Sequence, residues 1–266
     1  MRLLEKLRYV VDFSTKPHTR ELQKPNEDRL LVDAERGIFI LLDGVTRVHS
    51  EYEAAPFSSA AGDVGDIFIG EVYSYLTAHI SEPDTEGLLR RAAESGNRLV
   101  REYREKRSDA EWGFYPSVVG IISVLKDDQL HYLAVGDCLG VLLRGNSKIL
   151  FARELPLEAV DMLDVSKDER YKKYCNHPEN HLSYTVFSGH DEVMDGVEYS
   201  YIDIHGGDVI FLATDGIGSF LKYEKAADLR RLSAEEIIAG SGEYDSPPYA
   251  TYADDKTLVK LSFIGG

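Results

Sequence analysis

The feature that most constrains this chain is a set of short, almost uninterrupted apolar runs, each closed by a turn residue or an acid. Residues 38–42 (IFILL) and 118–125 (VVGIISVL) are the longest, and 209–213 (VIFLA) repeats the pattern. All fall far short of the roughly 20 residues that cross a bilayer. They have strand length, and their lack of alternation implies strands packed inside a sheet.

The runs fall into an order. Residues 29–32 and 37–42 flank the polar turn 33–36 and predict a hairpin ending at Asp43-Gly44. Helical spacing then follows from about 54 to 80 (Ile67, Ile69, Val72, Leu76), interrupted by Gly62, Gly65 and Gly70, which either weaken the helix or mark close packing. Pro83, Asp84 and Glu86 start a second helix with Leu88, Leu89, Ala92, Leu99, Val100 and Tyr103 on one face. After Trp112-Gly113 the runs 118–125, 130–135, 140–143 and 148–151 read as an antiparallel meander. Residues 153–181 break that regularity and are expected to be an irregular surface insert. Strands resume at 197–204 and 208–213. Ser233 with Glu236 predicts a capping box opening a short helix that stops at Gly240, and 257–263 is the closing strand. With no repeat, low-complexity tract or linker, residues 1–266 are expected to form one α+β domain.

Composition narrows the function classes. The 266 residues are 43% hydrophobic and 29% charged, enough for a sizeable core. A surplus of 46 acids over 30 Lys and Arg gives a formal charge of −16. That argues against nucleic acid or an anionic membrane as partner and favours bound cations. Two cysteines, Cys138 and Cys175, are too few for a disulfide framework and fit a reducing compartment, so the expected location is cytoplasmic. Arg2, Glu5, Lys6 and Arg8 interrupt what would have to be the apolar core of a signal sequence.

The acids matter by position. Asp28 precedes the first strand of the hairpin, Asp43 follows the second, Asp215 follows 209–213, and Asp254 precedes the closing strand. Any one of these is ordinarily a turn residue. Together, at the edge of a packed sheet, they would repel one another unless a cation neutralised them. Oxygen-only donors suit Mg²⁺ or Mn²⁺. No His or Cys spacing suits zinc, and GxxxxGK[ST], GxGxxG and GxSxG are absent. Ser123-Val-Leu-Lys126 spells SxxK inside an apolar strand, away from the helix start that motif requires.

Five segments in order carry a resemblance: Asn26-Glu27-Asp28 before a hairpin to Leu41-Leu42-Asp43-Gly44, then Val135-Gly136-Asp137, residues 207–216 ending in Thr214-Asp215-Gly216, and Asp254-Asp255-Lys256-Thr257. Along most of its length, from about Arg8 to Phe263, the chain resembles the metal-dependent serine/threonine protein phosphatases of the type 2C (PPM) family, especially bacterial forms. The resemblance implies a sandwich of two antiparallel β-sheets flanked by α-helices, in four layers α-β-β-α. It implies two tightly bound Mg²⁺ or Mn²⁺ ions with a possible third. Asp43 would bridge the two, and Asp215 and Asp254 would hold the first. Glu27, Asp28 and the Gly44 carbonyl would serve the second, and Asp137 would help hold the looser third. Residues 153–181 would be the flap beside the site. The implied reaction is hydrolysis of phosphoserine or phosphothreonine in a phosphorylated protein substrate, by in-line attack of a metal-bound hydroxide.

The chain departs from that pattern where substrate phosphate would bind. Gln23 stands where the family has an Arg, which leaves Arg20, Lys24 and Arg47 as candidate phosphate contacts. Val45-Thr46-Arg47 replaces the Gly-rich continuation, so no His stands at that place to act as general acid. Cys138 replaces a Ser, and Arg153-Glu154-Leu155-Pro156 replaces an Asp-His-Ser. Two alternatives follow from these departures: a catalytically silent binding or regulatory domain of the same fold, or a phosphatase acting on a small phosphorylated molecule.

Overall fold

A computed structural model describes residues 8–17, 25–45, 59–106, 116–152, 179–245 and 254–264, together with 160, 163, 165 and 167–177. Among these residues, ten strands form two antiparallel sheets of five. The first has the order β1 (Arg8–Lys16), β10 (Lys256–Ile264), β9 (Val209–Ala213), β6 (Leu139–Arg144), β7 (Ser147–Phe151). The second runs β2 (Arg29–Asp33), β3 (Ile38–Gly44), β4 (Val118–Lys126), β5 (Gln129–Val135), β8 (Glu198–Asp203). Every strand pair is antiparallel.

The apolar runs explain the layering. Along β9, Ile210 and Leu212 join the core shared by the two sheets, while Val209, Phe211 and Ala213 join a second apolar cluster on the opposite face. That outer cluster packs under α5 (Gly218–Tyr223), α6 (Ala226–Arg231) and α7 (Ala234–Gly240). The second sheet is likewise covered by α1 (Ala60–His79) and α2 (Thr85–Glu105), whose Val64, Phe68, Val72, Leu88 and Val100 are fully buried. A central strand between another sheet and a helix layer has no wet face, so residues 38–42 carry no polar alternation. The expected four-layer α-β-β-α sandwich is what forms. β2, at a sheet edge, is half-buried throughout, unlike its hairpin partner, which is buried at every residue but Asp43.

Several expectations change. The first helix begins at Ala60, with Ser59 as N-cap; the residues from 54 to 58 lie outside those described. β1 has no counterpart among the expected strands, nor do α5 and α6. The insert is not wholly irregular or superficial: Lys167–Tyr174 forms α3, with a Lys173–Glu169 ion pair at i, i+4, and Val160 and Cys175 are buried. A one-turn α4 (Val193–Gly196) precedes β8. The serine of the SxxK spelling donates from its hydroxyl to the Phe39 carbonyl across β3 and β4, a structural bond.

The capping box forms as expected. Ser233 Oγ accepts from the Glu236 amide at 3.2 Å and the Glu236 carboxylate accepts from the Ser233 amide at 2.7 Å. The bond from the Ser233 amide, followed by one from the Ser233 hydroxyl, holds the Glu236 carboxyl below the usual range. Ser233→Ala should therefore destabilise the fold by about 1 kcal/mol. In a thermal melt that is a fall of about 2–4 °C for a chain of this size; an unchanged melt would show that α7 is held by burial alone.

Candidate metal centre

The acidic positions collect at one end of the sandwich because the strand register puts them there. Arg29 pairs with Leu42 and Asp43 with Val119, so Asp28, one step before Arg29, arrives beside Asp43. Val135 pairs with Gly120 and Leu139 with Ala213, so the β5–β6 turn carrying Asp137 crosses from one sheet to the other at that same end. Ala213 also pairs with Leu258, which brings Asp215, two residues past Ala213, next to the entry of β10 at Asp254 and Asp255.

Both Asp-Gly steps have a packing reason. A Cβ on Gly44 would lie 2.7 Å from Glu27 Cβ, and one on Gly216 would lie 2.1 Å from the Asp255 carbonyl oxygen. Each glycine lets another acid-bearing segment close onto the backbone beside Asp43 or Asp215. Polar bonds finish the arrangement. The Glu27 amide donates to Asp255 Oδ2 at 2.9 Å, Thr214 Oγ1 donates to Asp28 Oδ2 at 3.0 Å, and the Thr257 amide donates to Thr214 Oγ1 at 3.0 Å. Ser59, at the start of α1, donates to Glu27 Oε1.

The electrostatics are those of a site short of positive charge. Burial, then Asp215, Asp28, Asp254 and Asp137, raise the Asp43 carboxyl well above its usual range. Burial, then Asp137, Asp254 and Asp28, do the same to Asp215, while a hydrogen bond from Asp43 works the other way. Asp28 is pushed up to about 8 by burial and by Asp255, against hydrogen bonds from Thr257 and Thr214. Asp28 Oδ1 and Asp215 Oδ1 are buried with no hydrogen-bond partner. A buried, unpartnered carboxylate oxygen is costly unless something cationic or protic meets it.

The donor set fits a hard divalent cation: all oxygen, with two orphaned buried oxygens and mutual repulsion for an ion to relieve. Among the described residues, no three His, Cys, Asp or Glu side chains are grouped so as to hold an ion as they stand. Asp43 and Asp215 share a hydrogen bond in this arrangement, and a cation would take the place of the proton between them.

Of the sequence candidates, Asp28, Asp43, Asp137, Asp215 and Asp254 share one electrostatic neighbourhood, and Glu27 and Gly44 touch it through packing. Arg20, Lys24 and Arg47, with Gln23, Thr46 and residues 153–156, lie outside the described residues. Asp255 is a member the sequence reading quoted without a role: it is buried, accepts from Glu27 and raises Asp28. The doubled acid of Asp254-Asp255 was the available signal. Cys138 is buried, and burial followed by Asp43 pushes its thiol well up, which suits a small inert residue.

No protein-family model and no curated protein sequence matches the chain. Solved structures do. The catalytic domain of the serine threonine protein phosphatase PstP, solved with two manganese ions, is 18% identical over 97% of this chain and 98% of its own, with a TM-score of 0.63. PppA, a regulatory component of T6SS in Pseudomonas aeruginosa, is 18% identical over 96% of this chain and 98% of its own, at 0.63. The PPM Ser-Thr phosphatase MsPP from Mycobacterium smegmatis, in complex with cacodylate, is 15% identical over the same shares, at 0.61. At such identities the likeness is one of fold: the chain has the fold of the PPM Ser/Thr phosphatases. No helix among the described residues is long and apolar enough to cross a membrane.

Proposed function

We propose that this chain is a metal-dependent phosphatase that hydrolyses phosphoserine or phosphothreonine in proteins. The observation that supports it most is the meeting of Asp28, Asp43, Asp137, Asp215 and Asp254 at one end of a PPM-type sandwich, with two buried carboxylate oxygens left unpartnered. Asp43, whose carboxyl feels Asp28, Asp137, Asp215 and Asp254, would serve both of two ions; Asp215 and Asp254 would help hold one, and Glu27, Asp28 and the Gly44 carbonyl the other. Thr214 orients Asp28 through its hydroxyl, and Asp255 holds the Glu27 backbone. A pair of divalent cations, when bound, supplies an activated water and neutralises the phosphate oxygens. The test is release of phosphate from a phosphopeptide with added Mn²⁺ and its loss with a chelator. Cleavage of an aryl phosphate without any phosphopeptide would favour a small-molecule substrate, and cleavage of neither would favour a silent binding domain.

Asp137 is assigned a lighter part, on a third and weaker ion. Asp137→Ala should lower turnover and leave two tight sites in a calorimetric titration with Mn²⁺. Loss of all binding would make Asp137 a primary ligand or a structural acid instead.

Arg20, Lys24 and Arg47 are the proposed phosphate contacts. A dianion is oriented by charge-assisted hydrogen bonds from such groups. Changing the true contact to Ala should raise KM with little effect on metal affinity. Unchanged KM in all three variants of an active enzyme would leave phosphate binding to metal and water.

A further inference from the structure

Arg29 stands directly after the Glu27-Asp28 pair and opens β2. Its Nη1 donates to the carbonyls of Asn26 at 2.7 Å and Asp28 at 3.0 Å, the peptide oxygens that bracket the acid pair. Its Nε and Nη2 fork onto Asp66 of α1 at 2.5 and 3.0 Å. One planar guanidinium thus joins the backbone of the two acids to the side of a 20-residue helix.

The helix is shaped for that side chain. A Cβ on Gly62 would lie 2.8 Å from Arg29 Nη2, and one on Gly65 would lie 2.9 Å from Arg29 Cγ. A Cβ on Gly70 would meet nothing within 4 Å, so glycine in this helix is not required throughout. Glycine inside a helix is unfavourable; at 62 and 65 it opens a groove one arginine deep. The same helix end also reaches the Glu27 side chain, because Ser59 accepts from the Gly62 amide at 3.3 Å while donating to Glu27 Oε1.

Stability does not account for this construction. Asp66 is 62% exposed, and an ion pair so open to water contributes little to folding. The bonds to Asn26 and Asp28, by contrast, fix peptide groups on which the placement of two site carboxylates depends.

We propose that Arg29 is a positioning residue for the metal centre: seated in the Gly62–Gly65 groove and locked by Asp66, it sets the backbone of Glu27-Asp28 for cation binding. This rests on the metal-centre reading above. Partners one step behind metal ligands typically change metal affinity by about 10–100-fold when lost, and that is the effect expected here.

The test is calorimetric titration of the full chain with Mn²⁺, with circular dichroism at the same temperature to confirm folding. Arg29→Lys keeps the charge but cannot reach all four acceptor oxygens, and should weaken binding by about 10–100-fold. Asp66→Ala, a surface change on α1, should weaken it in the same direction. Gly65→Ala should weaken binding in the wild-type background and have no further effect in an Arg29→Ala background, which would place its effect on metal affinity in the contact with Arg29. Wild-type affinity in both Arg29→Lys and Asp66→Ala would overturn the proposal and leave the metal centre standing. If Arg29→Lys does not fold, the Asp66→Ala affinity decides alone. If the wild-type chain takes up no Mn²⁺, the metal-centre reading falls, and the role of Arg29 with it.

Discussion

Asp43→Asn is expected to give a folded protein whose phosphate release is lower by several orders of magnitude at every Mn²⁺ concentration. Asp43 lies in the field of Asp215, Asp28, Asp254 and Asp137, so an ion held by any of them is within its influence. Asn keeps the shape and one carbonyl oxygen but removes the charge that would hold two cations together. Stability should move the other way. In the metal-free chain the substitution deletes a member of a repelling cluster, so the melting temperature should hold or rise, whereas the gain on adding Mn²⁺ should shrink. Asp215→Asn should behave alike, since its carboxyl is raised by the same neighbours. A variant that kept most of its activity at saturating metal would remove Asp43 from the centre, and one that unfolded would make the acid structural.

The fold was legible where burial dictates the pattern. The runs in β3, β4 and β9 are apolar without alternation because sheet and helix cover both faces, and that reads directly from sequence. α5 and α6 were not legible, and the reason is how they end. Lys148 Nζ, on β7, donates to the carbonyls of Leu221, Lys222 and Glu224, and Lys260 Nζ, on β10, donates to those of Leu229, Arg230 and Leu232. Each helix has six residues, too few to show a period, and its terminal carbonyls are satisfied by a lysine distant in sequence. β1 was missed for a related reason. Among the described residues its one strand neighbour is β10, far along the chain, and Val10 and Phe13 stay more than half exposed, so no clean face marks it.

At the site, the positions of the acids were readable as strand ends, but their convergence was not. It depends on register between segments as distant as Glu27 and Asp255, and on the space that Gly44 and Gly216 leave for a neighbouring backbone. The glycines of α1 were ambiguous in sequence between weakness and close packing. At 62 and 65 the structure supports close packing, and the partner is an arginine beside the site, where an apolar neighbour would have been the ordinary guess.

Metal-free protein should lose stability as pH rises from about 5 to 8, and Mn²⁺ should restore it most at the upper end. An Asp titrates near 4 when unfolded, while Asp28 in the fold is pushed up to about 8. Between those values the folded chain binds more protons than the unfolded chain. Its contribution is therefore whole below about pH 4, falls through the window, and is lost above about 8. Asp43 and Asp215, raised by the same burial and crowding, act in the same sense. A divalent cation takes the place of those protons, so its affinity rises with pH. At about 100 times Kd, one site adds about 2.7 kcal/mol, or about 5–11 °C in melting temperature for a chain of this size. Thermal melts with and without Mn²⁺ should thus nearly coincide at pH 5 and separate by that amount at pH 8. Asp28→Asn supplies the control, because it removes a titrating group and should flatten the metal-free pH slope. Equal slopes in Asp28→Asn and wild type, or a Mn²⁺ shift that did not grow with pH, would mean that the acids at this sandwich end are neither protonated against one another nor waiting for a cation.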